Sequence, residues 1–214
     1  MKIRLAAVAL FCLSTAAAHR LDEYLQATTL SLEKDRVQAQ LRLTPGVAVV
    51  PLVIALIDTD GDGNITASEQ QAYARRVLSD LSVSLNGAPV ALYLVQASFP
   101  TMDAFKEGLG EIRLDLDVPL PGDTVERKLT FDNHHQERVA AYLMNCLIPE
   151  DPKIRITGQT RNYSQSRYQL NYVQEGAMSW WWLAPLAGIP VARLLYLARP
   201  RTVCRDRTRS EPRP

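Results

Sequence analysis

Cysteine is scarce in this chain, with three in 214 residues. Cys12 falls inside an N-terminal apolar run, which leaves Cys146 and Cys204. Two remaining thiols do not make a disulfide scaffold, and Cys146, in an apolar stretch, is expected to be a buried thiol. Histidine is equally rare, at three residues: His19, His134 and His135. There is no His-Glu-x-x-His pair, no nucleophile elbow and no phosphate loop, so nothing marks an enzyme. No internal repeat or low-complexity segment interrupts the body before an Arg/Pro-rich tail. Within that body the longest apolar run, residues 47–57, is too short to cross a bilayer and reads as buried core. What remains is a chain 47% hydrophobic and 22% charged, enough for one good core.

The most specific local pattern is Asp58-Thr59-Asp60-Gly61-Asp62-Gly63-Asn64-Ile65-Thr66-Ala67-Ser68-Glu69. Asp58, Asp60 and Asp62 place short carboxylates at positions 1, 3 and 5 of a twelve-residue loop. Gly63 stands at position 6, where the backbone turns sharply. Asn64 at position 7 offers a backbone carbonyl, and Thr66 at position 9 can hold a bridging water. Glu69 at position 12 is one methylene longer and can close a cage with both oxygens. Ile65 is the apolar residue among them and is expected to turn inward. Hard divalent cations such as Ca2+ take six to eight oxygens at about 2.3–2.6 Å and tolerate irregular geometry. Four carboxylates this close repel one another without a cation.

The flanks fit a helix on each side. Residues 67–81 read as a helix, with Tyr73, Val77 and Leu81 on one stripe and Gln70, Gln71, Arg75 and Arg76 polar. Pro51 suits a helix's first turn and not its interior, so the incoming helix is expected to run only from about Pro51 to Ile57. Loop and flanks together, about residues 47–81, resemble an EF-hand, and the resemblance implies Ca2+ held by Asp58, Asp60, Asp62, Asn64, Thr66 and Glu69. EF-hands usually pair, yet no second loop is found. Asp115-Leu116-Asp117 is followed by Val118-Pro119, which lacks a position-5 ligand and a glycine. The rest of the domain, a membrane transporter or a second copy of the chain is left to support the hand.

Residues 1–18 read as a signal peptide, with Lys2 and Arg4, the apolar run Leu5 to Leu13 and small residues at Ala16-Ala17-Ala18. Mature numbering then starts at His19. Residues 177–198 carry a second apolar run, uncharged through Ala192, with Trp180-Trp181-Trp182 suited to a membrane interface and Arg193 able to snorkel. A transmembrane helix is expected there, tolerating Pro185, Gly188 and Pro190. The near-neutral total of +1 conceals an asymmetry. Residues 193–214 hold seven arginines against Asp206 and Glu211, while residues 19–192 are net acidic. The positive-inside rule then puts the 199–214 tail in the cytoplasm and the 19–176 body in the periplasm, a single-pass inner-membrane protein. Cys146 and Cys204 would lie on opposite sides of the membrane. An exported body argues against nucleic acid as the partner of the basic tail.

Outside the loop the patterning has period two. Val37, Ala39, Leu41 and Leu43 alternate with Arg36, Gln38, Gln40 and Arg42. Ile112, Leu114, Leu116 and Val118 alternate with Glu111, Arg113, Asp115 and Asp117. Asn86-Gly87 between Ser82–Leu85 and Val90–Val95 signals a hairpin. Further strands are expected near residues 26–32, 125–131, 154–158 and 167–173, with residues 139–148 open between strand and helix. Seven or eight short strands predict a mainly β, immunoglobulin-like sandwich, with the helix-loop-helix inserted after the second strand.

The histidines define an alternative. A terminal His19 joins an α-amine to an imidazole, a good chelate for copper or nickel, and His134-His135 could add nitrogens. Otherwise His134-His135 lie on a solvated turn. Small periplasmic copper carriers are β-sandwiches with a similar terminal histidine, and the likeness is one residue deep. His19-Arg20-Leu21-Asp22-Glu23-Tyr24-Leu25-Gln26 and Asn162-Tyr163-Ser164-Gln165-Ser166 resemble segments of exported bacterial proteins. Some of those are akin to the extracytoplasmic parts of hydrogenase and urease accessory nickel transporters. That resemblance implies metal handling and supplies no ligand motif. The leading expectation is a membrane-anchored periplasmic domain with a structural calcium ion. The alternatives are a copper or nickel carrier or transport accessory using His19, and an enzyme that holds calcium for stability.

Overall fold

The alternation read in the sequence becomes a pair of sheet faces. In β1 (Tyr24–Leu32) and β2 (Arg36–Pro45) every second side chain is buried, and the two pair antiparallel from Tyr24↔Pro45 to Leu32↔Val37. A period of two forces this division, because successive side chains point to opposite faces of a strand. The computed structural model describes residues 22–120 and 125–175. The expected signal peptide, transmembrane helix and basic tail lie outside those residues. Among the described residues no helix is long and apolar enough to cross a membrane.

The domain is mainly β, with two five-stranded sheets. The remaining strands are β3 (Leu81–Leu85), β4 (Ala88–Val90), β5 (Tyr93–Ser98), β6 (Ile112–Pro119), β7 (Glu126–Asn133), β8 (Ala140–Cys146), β9 (Ile154–Arg161) and β10 (Arg167–Gln174). One sheet runs β5-β6-β2-β1-β8 and the other β4-β3-β7-β10-β9. All pairings are antiparallel except β1 with β8. Leu41, Leu43 and Leu114 of the first sheet and Leu129, Phe131, Leu170 and Tyr172 of the second belong to one buried core. Each such side chain removed from water contributes about 1.5–3 kcal/mol before the opposing chain entropy.

One expectation needs correction and one open reading is resolved. The segment 90–95 is not one strand: β4 ends at Val90 and β5 starts at Tyr93, and the two belong to different sheets. Ala91-Leu92 therefore carries the chain from one sheet to the other. Residues 139–148 resolve as a strand, β8, because the backbone of β1 offers Leu25, Ala27 and their neighbours as parallel partners. The Asn86-Gly87 turn is as expected, with both residues at positive φ (53° and 85°), as a two-residue hairpin of this twist requires.

Three helices complete the described chain: α1 (Val50–Ile57), α2 (Ala67–Ser79) and the short α3 (Met102–Lys106). α1 and α2 form a helix-loop-helix between β2 and β3. Pro51 lies in the first turn of α1, where its missing N–H costs nothing. The helix stops at Ser79, two residues short of the expected end, because Leu81 is drawn into β3 opposite Asn133. Register places this insertion at the end of the sheets where β1 begins and β7 ends. Gln174 and Glu175 leave from the other end, where the Glu175 N–H donates to the Lys153 carbonyl at 2.9 Å.

Candidate metal centre

α1 delivers Asp58 and α2 delivers Glu69, and the twelve-residue loop folds between them. The Asp58 N–H closes α1 on the Ile54 carbonyl at 2.8 Å, fixing the side chain at the mouth of the loop. Asp58 then organises the turn: Oδ1 accepts from the Gly61 N–H at 2.9 Å and Oδ2 from the Gly63 N–H at 3.0 Å. Gly61 and Gly63 both have left-handed φ, 71° and 82°, which an L side chain adopts only with strain. Asp60 accepts from the Asp62 N–H at 3.2 Å and Asp62 from the Asn64 N–H at 2.7 Å, local turns of the kind aspartate favours.

Glu69 reaches back over the loop. Oε1 accepts from the Thr59 N–H at 2.8 Å, and Oε2 accepts from the Thr66 N–H at 2.9 Å and the Thr66 hydroxyl at 2.8 Å. Thr66 Oγ1 in turn accepts from the Glu69 N–H at 3.3 Å, so Thr66 and Glu69 make a capping box at the start of α2. These donors, the Thr66 N–H first and then its hydroxyl and the Thr59 N–H, hold the Glu69 carboxyl down at about 2.

One oxygen each from Asp58, Asp60 and Glu69 lie within 4.8 Å of one another. That separation is compatible with a shared cation and marks no particular metal. Each carboxylate oxygen has two lone pairs; Asp58 and Asp60 accept at most one bond per oxygen and keep capacity for a cation, whereas Glu69 Oε2 accepts two bonds and Oε1 accepts from the Thr59 N–H and, at 3.4 Å, the Thr59 hydroxyl. Among the described residues no ion pair involves any of the loop's four carboxylates. Asp58 and Glu69 are buried, while Asp60, Asp62 and Asn64 are exposed. Asp62, expected as a ligand, stands outside the cluster of carboxylates. The Thr66 hydroxyl is engaged with Glu69 and, at 3.0 Å, with Ser68. Ile65 is partly buried against the core, as expected.

The expectation for the histidines is only half met. His134 is exposed, with Nδ1 against Glu137 Oε1 at 2.5 Å. His135 is not on a solvated turn: it is 0% exposed, and its ring and backbone are fully engaged. Nδ1 meets Asp80 Oδ2 at 2.7 Å and Nε2 meets the Tyr73 hydroxyl at 3.1 Å. Its N–H donates to Asn133 Oδ1, and its carbonyl accepts from Gln26 Nε2 and the Tyr142 hydroxyl. Both ring nitrogens are thus committed, and His135 has none to offer a transition metal. Although His135 and Asp80 have the spacing of an acid–base pair, the imidazole is sealed from any substrate. Sequence pattern alone gave no sign of this buried node. Cys146 is half-buried, its thiol pushed up to about 11 by desolvation.

No protein-family model matches the chain, and no curated protein is significantly similar to it.

Proposed function

We propose that residues 58–69 are a single EF-hand calcium site, built into a periplasmic domain of immunoglobulin-like sandwich type that a helix at 177–198 anchors in the inner membrane. The observation that carries this reading is the register of ligand chemistry on one loop: Asp58, Asp60 and Glu69 within cation reach, with Gly61 and Gly63 supplying the two left-handed turns. Asp62, the Asn64 carbonyl and a water at Thr66 complete the shell by the EF-hand pattern, once a cation draws the loop inward. Calcium outside the cytoplasm is plentiful and steady, so the ion serves as a staple, with affinity on the order of 10⁻⁴–10⁻³ M as in extracellular modules. The staple joins the end of α1 to the start of α2.

Isothermal titration of the full chain with calcium tests this. One ion per chain is expected, with binding abolished in the Asp58→Ala/Glu69→Ala double variant. Absence of calcium binding, or an unchanged isotherm in that variant, refutes the site. The signal peptide and span are tested by fractionation: a body reached by protease only after the outer membrane is opened supports them, and a body in the cytoplasm does not.

A further inference from the structure

The exit helix of the hand is fastened to the sheets through one imidazole. Tyr73, one turn after Glu69 on the same buried face of α2, bonds His135 Nε2, and Asp80, the cap residue ending α2, bonds Nδ1. The Tyr73 hydroxyl also meets the Tyr24 hydroxyl of β1 at 2.8 Å. With Asp80 as a carboxylate, which only accepts, Nδ1 carries the hydrogen. Nε2 then accepts from Tyr73, and Tyr73 accepts from Tyr24. The hydrogen bonds run one way, Tyr24 to Tyr73 to His135 to Asp80, and every proton in the chain has an acceptor.

A second proton on the imidazole breaks that order. Nε2 becomes a donor and must point at Tyr73, which leaves one of the two tyrosine hydroxyl hydrogens without an acceptor where Tyr24, Tyr73 and His135 are all buried. The groups facing the ring are Tyr24 from β1, Tyr73, Arg76 and Asp80 from α2, and Tyr142 from β8, whose hydroxyl bonds the His135 carbonyl. Only Asp80 favours the cation. Burial, the largest influence, and Arg76 oppose it, and the ring is held below its ordinary value.

We infer that His135 is a positioning residue that links calcium affinity at 58–69 to protonation, acting through Tyr73 on the helix that carries Glu69. This rests on the calcium reading above. A neutral His135 holds α2, and with it Glu69, against the sheets. A protonated His135 loosens that hold and weakens calcium binding. Linkage is reciprocal, so calcium must make His135 harder to protonate.

The experiment is an NMR titration of the histidine rings of the full chain with and without calcium, with His135→Asn identifying the resonance among the three. A fivefold loss of affinity on protonation moves the His135 midpoint down by about 0.7 pH when calcium is bound. Tyr73→Phe separates the route from direct repulsion by the ion: the calcium-dependent displacement should vanish there while calcium still binds. An equal midpoint with and without bound calcium overturns the inference and spares the site. A displacement that persists undiminished in Tyr73→Phe overturns the route through α2. No calcium binding at any pH, with His135 titrating normally, overturns the calcium reading and this inference with it.

Discussion

The loop at 58–69 and the node around His135 lie at the same end of the sheets and hold polar groups in opposite ways. In the loop, carboxylates are steadied by backbone N–H groups of neighbouring residues, and Asp60 and Asp62 remain exposed. At the node, side chains from β1, α2, β7 and the turn after it satisfy one another with nothing left over. A loop that gathers acceptors of one charge sign suits the cation proposed for it. A closed network is built to fix geometry. The helix α2 joins them, with Glu69 in its first turn, Tyr73 at its middle and Asp80 at its end.

That contrast can be broken at either side. The largest effect is expected at the node. His135→Ala strips Asp80 and Tyr73 of buried partners and should lower unfolding free energy by about 3 kcal/mol in urea denaturation in chelator. Next comes the loop: wild type should gain about 2.7 kcal/mol at calcium one hundredfold above its dissociation constant, and Asp58→Ala/Glu69→Ala should gain nothing. A cost of His135→Ala already present in chelator, beside a loop gain that needs calcium, would sharpen the comparison, whereas a cost of His135→Ala that arises only with calcium would blur it.

Smaller effects separate the loop's internal props from its ligands. Thr66→Ala loses the capping box and should cost about 1 kcal/mol even in chelator, read as a lower melting temperature. Gly63→Ala meets no atom within 4 Å, so its cost is conformational alone, also about 1 kcal/mol, from the φ of 82°. The smallest is a pH effect. Glu69 has its native carboxyl lowered from 4.5 to about 2, so the unfolded chain takes up the proton first. Its contribution is whole above about 4.5 and fades as pH falls through about 2. Stability of Glu69→Gln in chelator should therefore fall less steeply over that interval than wild type. His135 has the same sign in a higher window. Its native value is lowered, so stability is whole above its ordinary 6.5 and declines as pH drops below that.

Local pattern carried much of the fold into view. The alternations of β2 and β6, the Asn86-Gly87 turn and the start of α2 at Ala67 needed only period and turn chemistry. Failures came where tertiary partners decide. Val90 and Tyr93 look continuous until two different sheets claim them. α3 is five residues long, too short for periodicity, though Thr101 accepting from the Ala104 N–H marks its cap. The loop's ligand set could be read because its residues are contiguous. Thr66 and Glu69 also spelled a capping box, a signal the ligand pattern masked. His135 could not be read, because Tyr24 of β1 and Tyr73 and Asp80 of α2 reach it from far along the chain.

The most direct measurement is the melting temperature of the full chain in millimolar calcium and in chelator, beside the Asp58→Ala/Glu69→Ala variant. A calcium-dependent rise in wild type that is absent from the variant is the expected result. A wild-type melting temperature indifferent to calcium and chelator alike would contradict the staple.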